Sequence, residues 1–263
     1  MDILDKIIAE KRTEVEKRKT LFPVKSLENT SLFKQNMASF MDALARPEPS
    51  VIGEFKRQSP SRGIINSVAG VEQVAIEYQE AGISAMSILT DKMFFGGENA
   101  DIQKVAGFIK MPLLRKDFII DEYQVIESKS IGASAILLIA SVLTKEEVER
   151  LSGLAVSLGM DILFEIHDKY DLDKLSDNIN IIGINNRNLK TFRIEMNNSL
   201  DLLESLPVNC LKVAESGFQS HEDVIELYEK GFDAFLIGEA FMRSEHPGRA
   251  AADFIKYLKS GLA

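Results

Sequence analysis

The chain has 263 residues, room for one large domain with a sizeable core, and its 45% hydrophobic and 27% charged residues match soluble globular averages. Its longest apolar runs, such as Ala135 to Ala140, are far too short to cross a bilayer, and a net charge of −9 opposes long-range attraction to nucleic acid or an anionic membrane. With that charge any bound anion must be held by a local constellation; a lone cysteine, Cys210, excludes an internal disulfide, and no paired Cys or His spacing suits zinc.

The first residues, Met1-Asp2-Ile3-Leu4-Asp5, carry acids where an export signal needs bases, and a cytoplasmic protein is expected. Ile3, Leu4, Ile7 and Ile8 share one helical face, which predicts an amphipathic N-terminal helix. The mixed charge run from Glu10 to Lys19 is read as its solvated face. A second short helix is expected over Gln35–Leu44. Arg46-Pro47-Glu48-Pro49-Ser50 then breaks the helix, so that residues 1–48 form a helical extension and residues 51–263 the main body of a single domain.

From Val51 onward short apolar runs alternate with amphipathic stretches, the rhythm of parallel β/α units. Strands are predicted at Val51–Phe55, Ala85–Leu89, Pro112–Leu114, Ala135–Ile139, Asp161–Phe164, Ile181–Ile184, Leu211–Ala214 and Ala234–Ile237. Helices are predicted at Val71–Ala81, Ala100–Ile109, Glu122–Ile131, Lys145–Leu158, Lys169–Leu175, Asn198–Leu203, Glu222–Lys230 and Gly248–Leu258. Gly82, Gly132, Gly159 and Gly231 stand just past four of them, where a left-handed closing residue is wanted. Eight strands without a linker predict an α/β fold, a single (β/α)8 TIM barrel with an extra N-terminal helix.

In such a barrel chemistry collects where the strands end. Strand one ends Glu54-Phe55-Lys56, and period two puts both charges on the face of Ile52, either as a structural ion pair or as the lining of a polar site. Strand three runs into Arg115-Lys116-Asp117-Phe118. A lysine desolvated there, or held near Lys56, is expected to have its pKa lowered toward the range of a general acid; the bland reading is an ammonium that reaches solvent. Glu165, after Phe164, is a base or half of a structural pair. The amide-rich turn from Gly183 to Leu189, with Asn185 and Arg187, can hold a carboxylate or a hydroxylated chain. Glu215-Ser216-Gly217 and Gly238-Glu239-Ala240 end the last two strands, where backbone N–H groups can cradle a phosphate. Phe94 and Phe95, after strand two, can stack on an aromatic ligand, although one ring can equally serve the core. His221 and His246 read as surface or capping residues.

Taken together and in order, these segments resemble the indole-3-glycerol-phosphate synthase family. The resemblance rests on Gly53-Glu54-Phe55-Lys56-Arg57-Gln58-Ser59-Pro60-Ser61-Arg62-Gly63, Leu89-Thr90-Asp91, Phe94-Phe95-Gly96-Gly97 and Pro112-Leu113-Leu114-Arg115-Lys116-Asp117-Phe118. It continues through Phe164-Glu165-Ile166-His167, the Gly183 to Leu189 turn, Glu215-Ser216-Gly217 and Leu236-Ile237-Gly238-Glu239. It implies cofactor-free, metal-free ring closure of 1-(2-carboxyphenylamino)-1-deoxyribulose 5-phosphate, with loss of carbon dioxide and water. On that resemblance Lys116 is the general acid, Lys56 meets the substrate carboxylate, Glu54 tunes the lysines and Glu165 serves the dehydration. Asn185 and Ser216 orient the substrate, Phe118 joins the aromatic contacts, and Arg187 holds the anionic end. Ser59, Gly217, Gly238 and Glu239 resemble the phosphate cradle. The Glu239 side chain would repel phosphate, so only its backbone N–H can serve, with the carboxylate turned away. The expected partner is a small phosphorylated substrate, with no nucleic acid or membrane, and a monomer is expected, with a weak homo-oligomer as the alternative. A phosphoribosylanthranilate isomerase-like barrel would share the phosphate loops but has no use for Glu54, Lys56 and Lys116. A non-catalytic phospholigand-binding barrel would tolerate the loss of Lys116 or Glu165, and both are present.

Overall fold

In the computed structural model, which describes residues 2–187, 196–218 and 220–262, eight strands close into a barrel whose neighbours follow chain order. They are β1 (Ser50–Phe55), β2 (Ala85–Leu89), β3 (Leu113–Lys116), β4 (Ala135–Ile139), β5 (Asp161–Ile166), β6 (Ile181–Asn185), β7 (Leu211–Glu215) and β8 (Ala234–Ile237). Every pairing is parallel, and β1 closes the ring by pairing with both β2 and β8. Ahead of the barrel lie α1 (Ile3–Leu21), α2 (Val24–Glu28) and α3 (Phe40–Leu44). Between and after the strands come α4 (Val71–Ala81), α5 (Lys92–Phe95), α6 (Asn99–Ala106), α7 (Glu122–Ser130), α8 (Lys145–Ser157), α9 (Met196–Leu203), α10 (His221–Glu229), α11 (Glu239–Met242) and α12 (Pro247–Gly261). The loop after β1 carries a small hairpin of Gln58–Ser59 with Gly63–Ile64. No helix among the described residues is long and apolar enough to cross a membrane.

Period two divides the strands between two apolar layers. Val51, Phe55, Ile88, Leu138, Phe164, Ile182, Ile184 and Phe235 face outward under the helices. Ile52, Leu114, Leu137, Leu163, Ile181, Val213 and Leu236 fill the barrel interior. Burying each such side chain stabilises the fold by about 1.5–3 kcal/mol relative to leaving it in water.

Four strands run one to two residues past their predicted ends, to Lys116, Ile166, Asn185 and Glu215. Polar side chains suggested a loop, but here they are buried and mutually paired, so the ladder has no reason to stop. The helix expected over Gln35–Leu44 is confined to α3. Asp161 accepts hydrogen bonds from Phe40 N and Met41 N, and Ser39 caps Asp42 N, so helix starts only there. Lys169–Lys174 is a 3-10 helix capped by Asp168, not an α-helix. Ser220 supplies the α10 capping box, with His221 just inside it, and His246 stands at the N-cap of α12. Asn188 and Leu189 of the predicted amide-rich turn lie outside the described residues.

The reading of the Glu10 to Lys19 run as a solvated face is corrected by Lys11, which is 1% exposed. Its ammonium reaches Glu14 at 2.8 Å, Asp91 at 3.0 Å and Asp117 at 2.9 Å. Burial would lower its pKa, but the three carboxylates outweigh burial and hold it above the ordinary lysine range. Arg18 meets the buried Glu127 at 2.5 Å, and Glu127 in turn meets Arg115 at 2.9 Å, so one side of α1 is welded to β2, β3 and α7. A mixed-charge helix can bury such a face only when the barrel presents matching acids. Lys11→Met would leave Asp91 and Asp117 without that counter-charge in a dry site and should destabilise the fold by about 3–5 kcal/mol. Urea unfolding checks this against Lys17→Met on the exposed face, which should stay within about 0.5 kcal/mol of the parent.

Candidate active site

On five of the eight strands the inward face ends in a polar residue above the apolar interior. Glu54 follows Ile52, Lys116 follows Leu114, Glu165 follows Leu163, Asn185 follows Gly183 and Glu215 follows Val213. These side chains floor a cavity of about 630 Å³ at the strand C-terminal ends, a size suited to a small-molecule ligand. Lys56, Ser59, Phe95, Phe118, Arg187, Ser216, Gly217, Gly238 and Glu239 line the same cavity. Thus the barrel brings together every site residue expected from the sequence except Phe94. Both the Phe94 and Phe95 rings pack, partly buried, against the cluster containing Leu4, Ile7 and Phe118, and of the two Phe95 alone also borders the cavity. Phe95 takes the cavity side and lies 6.1 Å from Phe118 between ring centroids, with a 40° tilt. One helical turn in α5 cannot point adjacent residues the same way, which divides the pair.

Lys116 sits at the centre of the charge. Its ammonium lies 3.3 Å from Glu165 Oε2 and in direct contact with Glu215 Oε2, while Lys56 pairs with Glu54 at 2.6 Å. The expectation of a lowered Lys116 pKa is overturned. Burial does push it down, but Glu215, Glu165 and Glu54 together push harder and hold it above the ordinary lysine range. Glu215, absent from the expected set of site residues, is 1% exposed and is the main residue the strand-end reading passed over. Its signal was legible: Leu211, Val213 and Glu215 are two apart, so the interior periodicity of β7 runs straight into the carboxylate.

Three carboxylates surround two ammonium groups in this pocket, so full ionisation leaves excess negative charge. Burial pushes the Glu215 carboxyl up to about 8, against the pull of Lys116 and with Glu165 adding to the rise. Burial would raise Glu165 too, but Lys116, His167 and a hydrogen bond from Asn185 outweigh it and lower its pKa. Within this cluster Glu215 therefore holds a proton more tightly than Glu165 does.

Close approach of these groups depends on two glycines. A Cβ on Gly183 would overlap Glu215 Oε1, and one on Gly238 would come within 2.6 Å of Glu54 Oε1. Backbone strain collects in the loop after β7, where Ser216 has φ +69° without being glycine and Gly217 follows at +96°. A non-glycine residue held there costs of order 1–3 kcal/mol and marks a loop shaped for something other than stability.

The mouth of the cavity has a different character. Arg62 and Arg187 both reach the Glu239 carboxylate, at 3.1 and 3.4 Å, so that side chain is not turned away from the mouth as expected but is paired with the arginines there. Ser59, Ser61 and Ser244 supply hydroxyls around the same rim. Among the described residues no group of three or more His, Cys, Asp or Glu side chains is arranged to hold a metal ion.

The family pattern described as Indole-3-glycerol phosphate synthase matches residues 4–254, nearly the whole chain. The chain belongs to the indole-3-glycerol phosphate synthase family. Among its relatives, the indole-3-glycerol phosphate synthase of Bacteroides thetaiotaomicron is 43% identical over 258 residues, covering 98% of this chain and 99% of the relative. That of Thermoanaerobacter pseudethanolicus is 41% identical over 260 residues, covering 98% and 99%. Solved structures extend the likeness at the level of fold alone. Tryptophan synthase subunit alpha from Legionella pneumophila has a TM-score of 0.62 at 10% identity, covering 84% of this chain and 97% of that one. The 3-hexulose-6-phosphate synthase from Salmonella typhimurium has a TM-score of 0.62 at 11% identity, covering 80% and 99%.

A raised carboxyl pKa in this family member has a consequence for stability. The folded chain binds the Glu215 proton more tightly than the unfolded chain does, so this contribution is complete below the ordinary carboxyl range and is lost as pH rises through about 8. Urea unfolding between about pH 5 and 8 should therefore show a falling component in the wild type that Glu215→Gln removes.

Proposed function

We propose that this protein closes the indole ring of 1-(2-carboxyphenylamino)-1-deoxyribulose 5-phosphate, releasing carbon dioxide and water to give indole-3-glycerol phosphate. Membership of the family supports the reaction, and one observation supports its placement. A buried ammonium, Lys116, stands between two carboxyl groups of opposite proton affinity, facing an aromatic wall on one side and an arginine-lined mouth on the other.

The ketone oxygen gains negative charge as the carboxylate-bearing ring carbon attacks the ketone carbon and a C–C bond forms. Lys116 is the group to protonate that oxygen, because its carboxylate neighbours keep it as ammonium until a substrate arrives. Loss of carbon dioxide from the same ring carbon returns the electron pair to the ring. The substrate carboxylate is placed toward Lys56, which Glu54 holds at 2.6 Å. Elimination of the new hydroxyl as water then needs one group to take a proton and one to give it. Glu165, ionised, is suited to accept, and the Lys116–Glu215 pair holds protons to return.

Phe95 and Phe118 are proposed to face the anthranilate ring, with Leu89 and Leu137 completing an apolar slot. Asn185 and Ser216 orient the chain between the two ends. The phosphate is assigned to the mouth, to Ser59, Arg187 and the backbone at Gly217, Gly238 and Glu239, where small residues let an anion approach.

Incubation with this substrate, a chelator and no added cofactor should produce indole absorbance and fluorescence. Lys116→Met should lower turnover by about 10²–10⁴-fold while substrate binding, followed by fluorescence titration, changes far less, because the acid is deleted and the apolar stem kept. Near-normal turnover in that variant would remove Lys116 from the chemistry.

A further inference from the structure

Three loops of the catalytic face converge on one carboxylate. Glu239, after β8, receives Arg62 from the hairpin after β1 at 3.1 Å and Arg187 from the end of β6 at 3.4 Å. Arg187 also donates through its other terminal nitrogen to Ser61 Oγ at 3.0 Å. Ser61, Arg187, Glu239 and Arg62 therefore close a ring of contacts across the mouth of the cavity.

An acidic side chain is the wrong charge for a pocket that takes a dianion, unless it is there to occupy the cations. A guanidinium presents a planar fork of N–H donors that fits the paired oxygens of a carboxylate and of a phosphate in the same way. Exchange of one for the other leaves the arginine satisfied before and after. The Arg187 and Glu239 side chains are 20% and 22% exposed, against 58% for Arg62, so water competes least for the Arg187 contact.

We propose that Glu239 is a built-in counter-anion, a positioning residue that holds Arg187 and Arg62 over the mouth and yields them to the phosphate of the incoming substrate. The proposal rests on the reading of this end of the cavity as the phosphate end. Its consequence is selectivity. A free inorganic phosphate must displace the carboxylate unaided, whereas the substrate brings binding from its aromatic and ketone portions at the other end of the cavity.

Inorganic phosphate is the probe, with affinity read by calorimetry and by competitive inhibition. Glu239→Gln should bind it about three- to tenfold tighter than the wild type, the scale expected of partly exposed ion pairs, including the case in which the wild type binds too weakly to detect. Arg187→Met should cost more phosphate affinity in the Glu239→Gln background than in the wild type, because in the wild type the arginine first gives up its carboxylate. Unchanged phosphate affinity in Glu239→Gln would overturn the proposal. Strictly additive effects of the two substitutions would do the same, since plain charge repulsion without exchange predicts additivity. Turnover of the carboxyphenylamino substrate by the wild type is measured alongside. Turnover together with an additive cycle overturns the counter-anion and leaves the reaction standing. Absence of both turnover and phosphate binding in the wild type and in Glu239→Gln overturns both.

Discussion

An ammonium group buried inside a closed barrel is the constraint around which the rest of this protein is arranged. Lys116 is 9% exposed, and a lone charge at such a depth would either lose its proton or disrupt the fold. Glu165 and Glu215 make its burial tolerable. Their presence in turn requires the empty space at Gly183 and explains why β3, β5 and β7 keep their ladder to the last charged residue. The polar floor is therefore as much a part of the barrel as the leucine and isoleucine layer beneath it.

Alternation along β3 and its continuation sorts four consecutive residues with separate tasks. Lys116 and Phe118 line the cavity, which Asp117 also borders, while the Arg115 and Asp117 side chains join a buried ion-pair network with Glu127 and Lys11. Asp117 is held far below the ordinary carboxylate range, since Lys11 and Arg115 with the Thr90 hydroxyl overcome the effect of burial. Lys11 also binds Asp91, the residue that caps α5 and so sets the turn that presents Phe95. The N-terminal helix is thus anchored at two points that flank the floor and the aromatic wall of the cavity. Rigidity beneath a site of this kind keeps reacting groups within reach of one another.

The cavity is polarised from floor to mouth. Its floor holds tightly packed, deeply buried charges whose pKa values are driven apart. Its mouth holds arginines whose carboxylate partner is partly exposed. A ligand that spans both combines an anionic end at the arginine-lined rim with an aromatic portion in the apolar slot. That complementarity makes a phosphorylated aromatic adduct a better match than a compact sugar phosphate, which would bring no ring to set against Phe95 and Phe118.

The eightfold alternation, the apolar face of the first helix and most of the polar strand ends were legible in the sequence, because period two and period 3.6 are properties of the local chain. Period two placed Glu54 and Lys56 on one face of the first strand, position at the strand ends singled out Lys116, Glu165 and Asn185, and the spacing of Leu211, Val213 and Glu215 implied Glu215, though polar residues were read as the end of a strand. Only the tertiary structure decided matters that depend on what surrounds a charge. The direction of the Lys116 pKa reversed because three carboxylates from other strands converge on it, and no window of sequence contains them together. The burial of Lys11 depended on acids 80 and 106 residues further along the chain, at Asp91 and Asp117. The division of labour between Phe94 and Phe95 turned on the orientation of a single helical turn. Local pattern determined which residues face inward; the electrostatics of the site came from distant segments brought together when the barrel closed.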